Sequence, residues 1–316
     1  MIHSRPWGQS RPARAGTISP AITCLGFVGA LAVSLFSGHL RAEVELAQAD
    51  GGILTLPQPA RRIITLAPHL TELAFAAGAG AQVVATVAYS EYPPAAVSIP
   101  RVGDAFRLDL ERILTLKPGL VVAWQSGNPP AAVTYLQDLG IPVWTVEIRR
   151  PEEIATVLEA MGRATGNEPT ASAAAAATRR RIAELAKRYG GVSEVSYFYQ
   201  VAVHPLYTIN GEHLISRSLE LCGGENIFGD AVGLAPQVSP ESVIAADPQA
   251  LLAPSGPGQQ DALAWWRDWP GLRAVRADAL YLLPEDEISR ATPRMLDAVA
   301  AACKLLDTLR AGSPDE

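Results

Sequence analysis

Few side chains in this sequence could do covalent or metal chemistry. Beyond residue 42 it holds three histidines, His69, His204 and His213, and two cysteines, Cys222 and Cys303. Imidazole nitrogens and thiolates are the common transition-metal ligands, and a free thiol beside a histidine is a nucleophile. Neither use has its spacing here. The histidines form no HxH or HxxxH pair, there is no CxxC, and no HExxH, GxSxG, GxGxxG or phosphate-binding loop occurs. An exported metal-dependent enzyme built on the three histidines is therefore the weak alternative, and no metal site is expected. The aromatic residues are more telling. Tyr89 and Tyr92 follow an apolar run at 83–87, Phe106 precedes Leu110, Trp124 closes a run at 120–124, and Tyr207 follows the run that begins at Val195. Loops after strand C-termini are where open α/β sheets hold ligands. One aromatic alone is a packing residue more often than a site, but together these predict a flat, largely apolar ligand.

Such loops need strands and helices to hold them. Residues 63–66 read as a strand stopped by Pro68, 70–77 as a helix ended by Gly78, and 83–87 as a second strand. A helix at 110–116, a strand at 120–124, a helix at 130–139 and a strand at 143–146 follow. Strand alternating with helix in this way makes parallel βαβ units, hence an α/β fold. Two helices then come without a strand between them, at 152–165 and 169–189, and the second ends at Gly190-Gly191. A helix of that length spans about 31 Å and serves as a rigid strut. The alternation resumes at Val195 and runs to a final helix at 292–309. An echo links the halves: Glu111 precedes Pro118 and an apolar run at 120–123, and Glu241 precedes Pro248 and an apolar run at 250–253. The expected architecture is two similar lobes with central parallel sheets, 43–150 and 191–316, joined by linking helices at 151–190, with a ligand cleft between the lobes. Both glutamates fall in the first turn of a helix, behind Asp109 and Ser239 as caps, where a carboxylate gains up to about 1 kcal/mol from the helix dipole.

Composition narrows the class. The 316 residues are 48% hydrophobic and 18% charged with a net charge of −6, which excludes a disordered chain and gives no basic surface for nucleic acid. Residues 1–42 carry Arg5, Arg11 and Arg14 ahead of an apolar run at 21–36, then the small residues Ser37, Gly38 and Ala42. The run is shorter than the roughly 20 residues of a membrane span, so the segment reads as a secretory signal peptide cut after Ala42. Its removal takes away Cys24 and four arginines, leaving 22 basic and 32 acidic residues, a charge of −10. Cys222 and Cys303 then remain as one pair in an oxidising compartment. They are either two buried thiols or, the favoured reading after export, a disulfide whose loop closure is worth about 4 kcal/mol.

Six stretches together carry a family likeness: IITLAPHLTELAFAAG at 63–78, YSEYPP at 89–94, LERI at 110–113, LCGGENIF at 221–228, PQVS at 236–239 and RATPR at 290–294. In this order, and over residues 61–309, the chain resembles the periplasmic cobalamin (vitamin B12)-binding proteins of ABC importers. The resemblance implies a non-enzymatic periplasmic receptor, monomeric when free, with cobalamin as transported ligand and no resident cofactor. It implies that Cys222 and Cys303 form a disulfide. It places Tyr89, Trp124 and Tyr207 against the corrin, and Asp286 and Arg290 among the polar cleft groups, a pair also spaced for a local ion pair. Tryptophans of the family fall at Ala105 and Ala235 here; Phe106 stands in for the first, and nothing replaces the second. His69 occupies a ligand-facing loop where the family has a small residue, so it hydrogen-bonds a corrin amide or approaches the metal centre. Glu111 and Glu241, one per lobe, are implied to dock on arginines of the permease dimer. Haem and ferric-siderophore receptors share the fold and the Pro-x-x-Thr-Glu stretch at 68–72, which makes them the alternative ligands.

Overall fold

The described chain, residues 43–256 and 262–312 of a computed structural model, opens with an antiparallel hairpin of β1 (Val44–Ala47) and β2 (Ile53–Leu56). The segment read as a signal peptide lies outside the described residues. The hairpin buries Val44 and Leu46 and turns the intervening residues outward. Trp144 Nε1 donates to the Ala47 carbonyl at 2.9 Å, and Thr145 N donates to Gln48 Oε1 at 2.9 Å, which fastens the hairpin to the sheet that follows.

That sheet holds β3 (Ile63–Thr65), β4 (Val83–Ala85), β5 (Leu120–Trp124) and β6 (Val143–Val146), all parallel, in the order β4-β3-β5-β6. Every residue of β3 and the first four of β5 are buried. A parallel strand covered on both faces loses the polar-apolar alternation, which is why these strands stand in the sequence as unbroken apolar runs. Three helices cross between them: α1 (Pro68–Ala76), α2 (Leu110–Thr115) and α3 (Pro130–Asp138). Pro68 and Pro130 sit in the first turns of α1 and α3, where a missing N–H costs nothing.

Next come α4 (Pro151–Thr165) and α5 (Glu168–Tyr189). They pack closely where Gly162 meets Ala171; a Cβ on Gly162 would stand 2.4 Å from that of Ala171. The 22 residues of α5 span about 33 Å.

The second half contains β7 (Val195–Tyr199), β8 (Ala202–Val203), β9 (Leu206–Tyr207), β10 (Gly224–Asn226), β11 (Ala250–Ser255) and β12 (Leu280–Pro284). Its helices are α6 (Leu214–Leu219), α7 (Pro240–Ala246), α8 (Arg273–Arg276), α9 (Glu285–Ile288) and α10 (Met295–Gly312). Four strands form a parallel sheet in the order β10-β7-β11-β12, so each sheet places its second strand at one edge, then the first, third and fourth. The strands β8 and β9 form a small antiparallel ribbon of their own.

The repeat extends to backbone detail. The helix between the second and third strands is α2 in one lobe and α7 in the other. Asp109 accepts from Arg112 N at 2.9 Å and Ser239 from Ser242 N at 3.2 Å, so both expected caps are formed. Each helix ends in a left-handed residue before a proline, Lys117 at φ 47° and Asp247 at φ 43°.

The core explains how the halves are joined. One apolar cluster runs from Ile63, Leu120 and Val122 through α1, α4 and α5 to Tyr197, Leu252 and α10. The opposite sheet faces close separate clusters, one around Ile64, Val121, Ile113 and Leu136 and the other around Phe198, Leu251, Val243 and Trp266. Because the shared cluster would be exposed if the lobes separated, α4 and α5 act as a packed strut rather than a tether. Cys222, in the 3-10 turn after α6, is bonded to Cys303 of α10 with Cα atoms 5.5 Å apart, which ties the last helix to its lobe. No helix among the described residues is long and apolar enough to cross a membrane.

Candidate functional site

In a sheet of strand order 2-1-3-4 the crevice opens beyond the C-terminal ends of the first and third strands, where their connections leave in opposite directions. In the first lobe those ends carry His69 and Trp124. His69 is not in a loop, as the sequence reading had it, but in the first turn of α1, because Pro68 starts the helix directly after Ala67. Its ring stands edge-on to Trp124, 5.3 Å between centroids at 89°. Half-buried His69 is held neutral: burial above all, and then the charge of Arg290, lower its pKa to about 4. An uncharged imidazole beside an indole makes an apolar floor that keeps a nitrogen lone pair available.

Asn128 fixes this floor, a role the sequence reading missed. It is buried, accepts from Trp124 N at 2.7 Å, and donates to the carbonyls of Leu66 and Ala105, both at 2.8 Å. One side chain thus connects the loop after β3, the end of β5 and the loop that carries Phe106. Gly127 lets the chain pass beneath the indole, since a Cβ there would lie 1.9 Å from the Trp124 ring.

Around the floor stand two exposed aromatics. Phe106, 69% exposed, projects from a turn in which Asp104 Oδ1 accepts from the N–H groups of Phe106 and Arg107, both at 2.8 Å. Those two bonds hold the Asp104 carboxyl below its usual range. Tyr89, 72% exposed, has a left-handed backbone at φ 64°, uncommon for an aromatic residue and typical of sites where surroundings impose a conformation. A buried hydroxyl cluster flanks this turn: Thr86 Oγ1 lies 2.5 Å from Thr71 Oγ1 and 2.9 Å from Ser90 Oγ, and Thr65 Oγ1 lies 2.8 Å from that of Thr71.

The facing lobe contributes polar groups as well. Tyr207 comes after β7, within the short β9, half-buried and bridged to Gln237. Gln200, just past β7, is buried; it accepts from Trp266 Nε1 at 2.8 Å and Trp265 Nε1 at 3.3 Å and donates to the Ala262 carbonyl at 2.6 Å. Residues 289–294, between α9 and α10, reach across to the first lobe. Arg290 donates to Asp286 Oδ1 at 2.6 Å, so the local ion pair exists. It also donates to Glu72 Oε1 at 2.9 Å and to the Tyr89 carbonyl at 3.1 Å, both on α1's lobe. Arg294 donates to Glu72 through Nε at 3.0 Å and Nη2 at 2.8 Å, and its guanidinium lies 3.7 Å over the Tyr92 ring. Burial pulls the Arg294 pKa down, but the bond and charge of Glu72 outweigh it, and the net shift is upward.

Of the residues singled out from sequence, the structure therefore joins His69 with Trp124, and Tyr89 with Arg290 and Asp286. Phe106 and Tyr207 stand on separate lobes. Glu111 and Glu241 are exposed, in the first turns of α2 and α7; the Glu241 carboxyl is held below its usual range by its own backbone N–H and then by Ser239. The three histidines do not work as a set: His213 caps α6 by accepting from Ile215 N at 3.2 Å, and exposed His204 sits in the β8–β9 turn. Among the described residues no group of three or more His, Cys, Asp or Glu is placed to hold a metal ion. Glu72 and Arg294 lie inside the stretches 63–78 and 290–294, yet their pairing, 222 residues apart, has no local pattern to reveal it.

Known proteins resemble this chain in sequence and fold. The family described as periplasmic binding protein matches residues 63–287. The vitamin B12-binding protein of Vibrio cholerae serotype O1 (strain M66-2) is 40% identical over 258 residues, 80% of this chain and 92% of that protein. The vitamin B12-binding protein of Yersinia pestis (strain Pestoides F) is 37% identical over 258 residues, 81% and 90% of the two chains. The crystal structure of the periplasmic vitamin B12 binding protein of Vibrio cholerae superposes with a TM-score of 0.76 at 39% identity, over 80% of this chain and 99% of that one. A periplasmic heme-binding protein from Roseiflexus sp. RS-1 reaches a TM-score of 0.70 at 23% identity, over 79% and 99%, a likeness of fold alone.

Proposed function

The chain belongs to the periplasmic binding protein family, and from that premise we propose that it captures cobalamin in the cleft between its lobes and delivers it to an ABC importer. The observation that carries the reading is the 40% identity to a vitamin B12-binding protein, which extends over 258 residues and so includes both walls of the cleft. The site's chemistry fits such a ligand. A corrin offers two broad apolar faces and a rim of amides. Trp124, with the His69 ring edge-on to it, supplies an aromatic floor, Tyr89 and Phe106 exposed aromatic edges, and Arg290 and Asp286 polar partners for the rim. Affinity then comes from apolar contact on the faces, and selection from the fixed polar groups.

Catalysis has no place in this reading; the protein acts by binding and release, and the cobalamin is cargo. A monomer suffices, because each chain carries both walls. Glu111 and Glu241 present equivalent charges from equivalent helices, which suits docking on a two-fold symmetric permease dimer. Calorimetric titration of the mature protein with cyanocobalamin tests the ligand. One-to-one binding with submicromolar affinity, absent for haemin and a ferric siderophore, is the expected result; haemin binding without cyanocobalamin binding would transfer the fold to iron acquisition.

A further inference from the structure

We propose that Glu72 is a positioning residue of the cleft: its buried carboxylate holds Arg290 and Arg294 of the opposite lobe, and so fixes both the guanidinium presented to the ligand and the width of the opening. The Glu72 side chain is 3% exposed, and among the described residues its carboxylate bonds only to these two arginines. Among the described residues no partner comes from its own lobe. A carboxylate taken out of water is tolerated only when paired, so α1 carries a group that is satisfied only while the lobes stay in contact.

The geometry is that of a latch with two arms. Arg294 grips both carboxylate oxygens, Nε on Oε2 and Nη2 on Oε1, and its plane is covered by the Tyr92 ring. Paired donors and a stacked face restrict a guanidinium far more than a single contact does. Arg290 is the second arm. Its Nη1 is on Glu72, while Nη2 is divided between Asp286 and the Tyr89 carbonyl. Glu72 thus sets where Arg290 points, and through Arg290 it secures the turn that exposes Tyr89. It also lies three residues after His69 on α1, one helical turn behind the His69–Trp124 floor, so latch and floor are carried by the same rigid element. The strut α4–α5 closes one side of the molecule, and the latch is the polar contact that bridges the lobes at the cleft. Release of the ligand requires this contact to break, which makes it a barrier to spontaneous loss of cargo.

The reading of Arg290 as a ligand contact rests on the cobalamin proposal, whereas the tie between the lobes does not, and the test separates them. Spin labels on Gln137→Cys in α3 and Ala277→Cys after α8 report the distance between the lobes in ligand-free mature protein. Dissociation of cyanocobalamin is followed in parallel by stopped flow. The background is wild type, Glu72→Gln or Arg294→Met; the second variant serves if the first does not fold, because it leaves Glu72 paired with Arg290. Each variant should broaden the distance distribution towards longer values and raise the dissociation rate by about tenfold or more, as loss of a buried ionic contact does. A distribution that superposes on wild type, or a dissociation rate within about twofold of it, would overturn the proposal. If wild type fails to bind cyanocobalamin, the ligand assignment falls and the distance measurement alone decides the latch.

Discussion

Folding keeps the imidazoles of His69 and His213 uncharged. Burial lowers both to about 4, assisted by Arg290 at His69 and by Arg149 at His213. An unfolded histidine titrates near 6.5. Between about 6.5 and 4 the unfolded chain therefore binds more protons at these positions than the folded one, and stability falls as the pH falls through that window. Above it the contribution is constant. His213→Asn retains a side-chain acceptor for the α6 cap but cannot titrate. Urea midpoints at pH 7 and pH 5 should show a smaller acid-induced loss in His213→Asn than in wild type; equal losses would mean that His213 is not held neutral by the fold. At this scale the sequence is half legible. Trp124 and Tyr89 declare themselves as aromatics after apolar strands, and Asp109 and Ser239 as caps. Asn128, Gln200 and Glu72 do not, because each acts through bonds to chain that is distant in sequence.

The elements were the most readable part, for a physical reason. Strands buried on both faces become apolar runs, and proline or glycine marks where each must stop; β5 and β6 lie at the residues expected of them. The hairpin β1–β2 leaves no such mark in the sequence, because its strands have four residues each and it is held by bonds to Trp144 and Thr145, nearly a hundred residues away. The echo around Glu111 and Glu241 proves to be a repeated strand order, a repeated cap and a repeated left-handed exit. Because α2 and α7 are so alike, their glutamates should act as a pair in docking on the permease. Substituting both by alanine should abolish cobalamin uptake in cells while leaving cyanocobalamin affinity of the purified protein unchanged. Uptake at the wild-type level would refute the docking role.

At the scale of the molecule, two lobes of the same topology share one apolar cluster through α4 and α5 and meet again through Glu72. A packed strut on one side and an ionic latch at the cleft permit a small opening rather than a wide hinge. The proposed function places the corrin between the C-terminal ends of the two parallel sheets. Anomalous scattering at the cobalt absorption edge, from crystals grown with cyanocobalamin, locates the metal without reference to any fitted ligand. A single cobalt peak between the lobes, facing Trp124 and His69 on one side and Tyr207 on the other, is the predicted result. A peak on an outer face of either lobe, with the cleft empty, would contradict it.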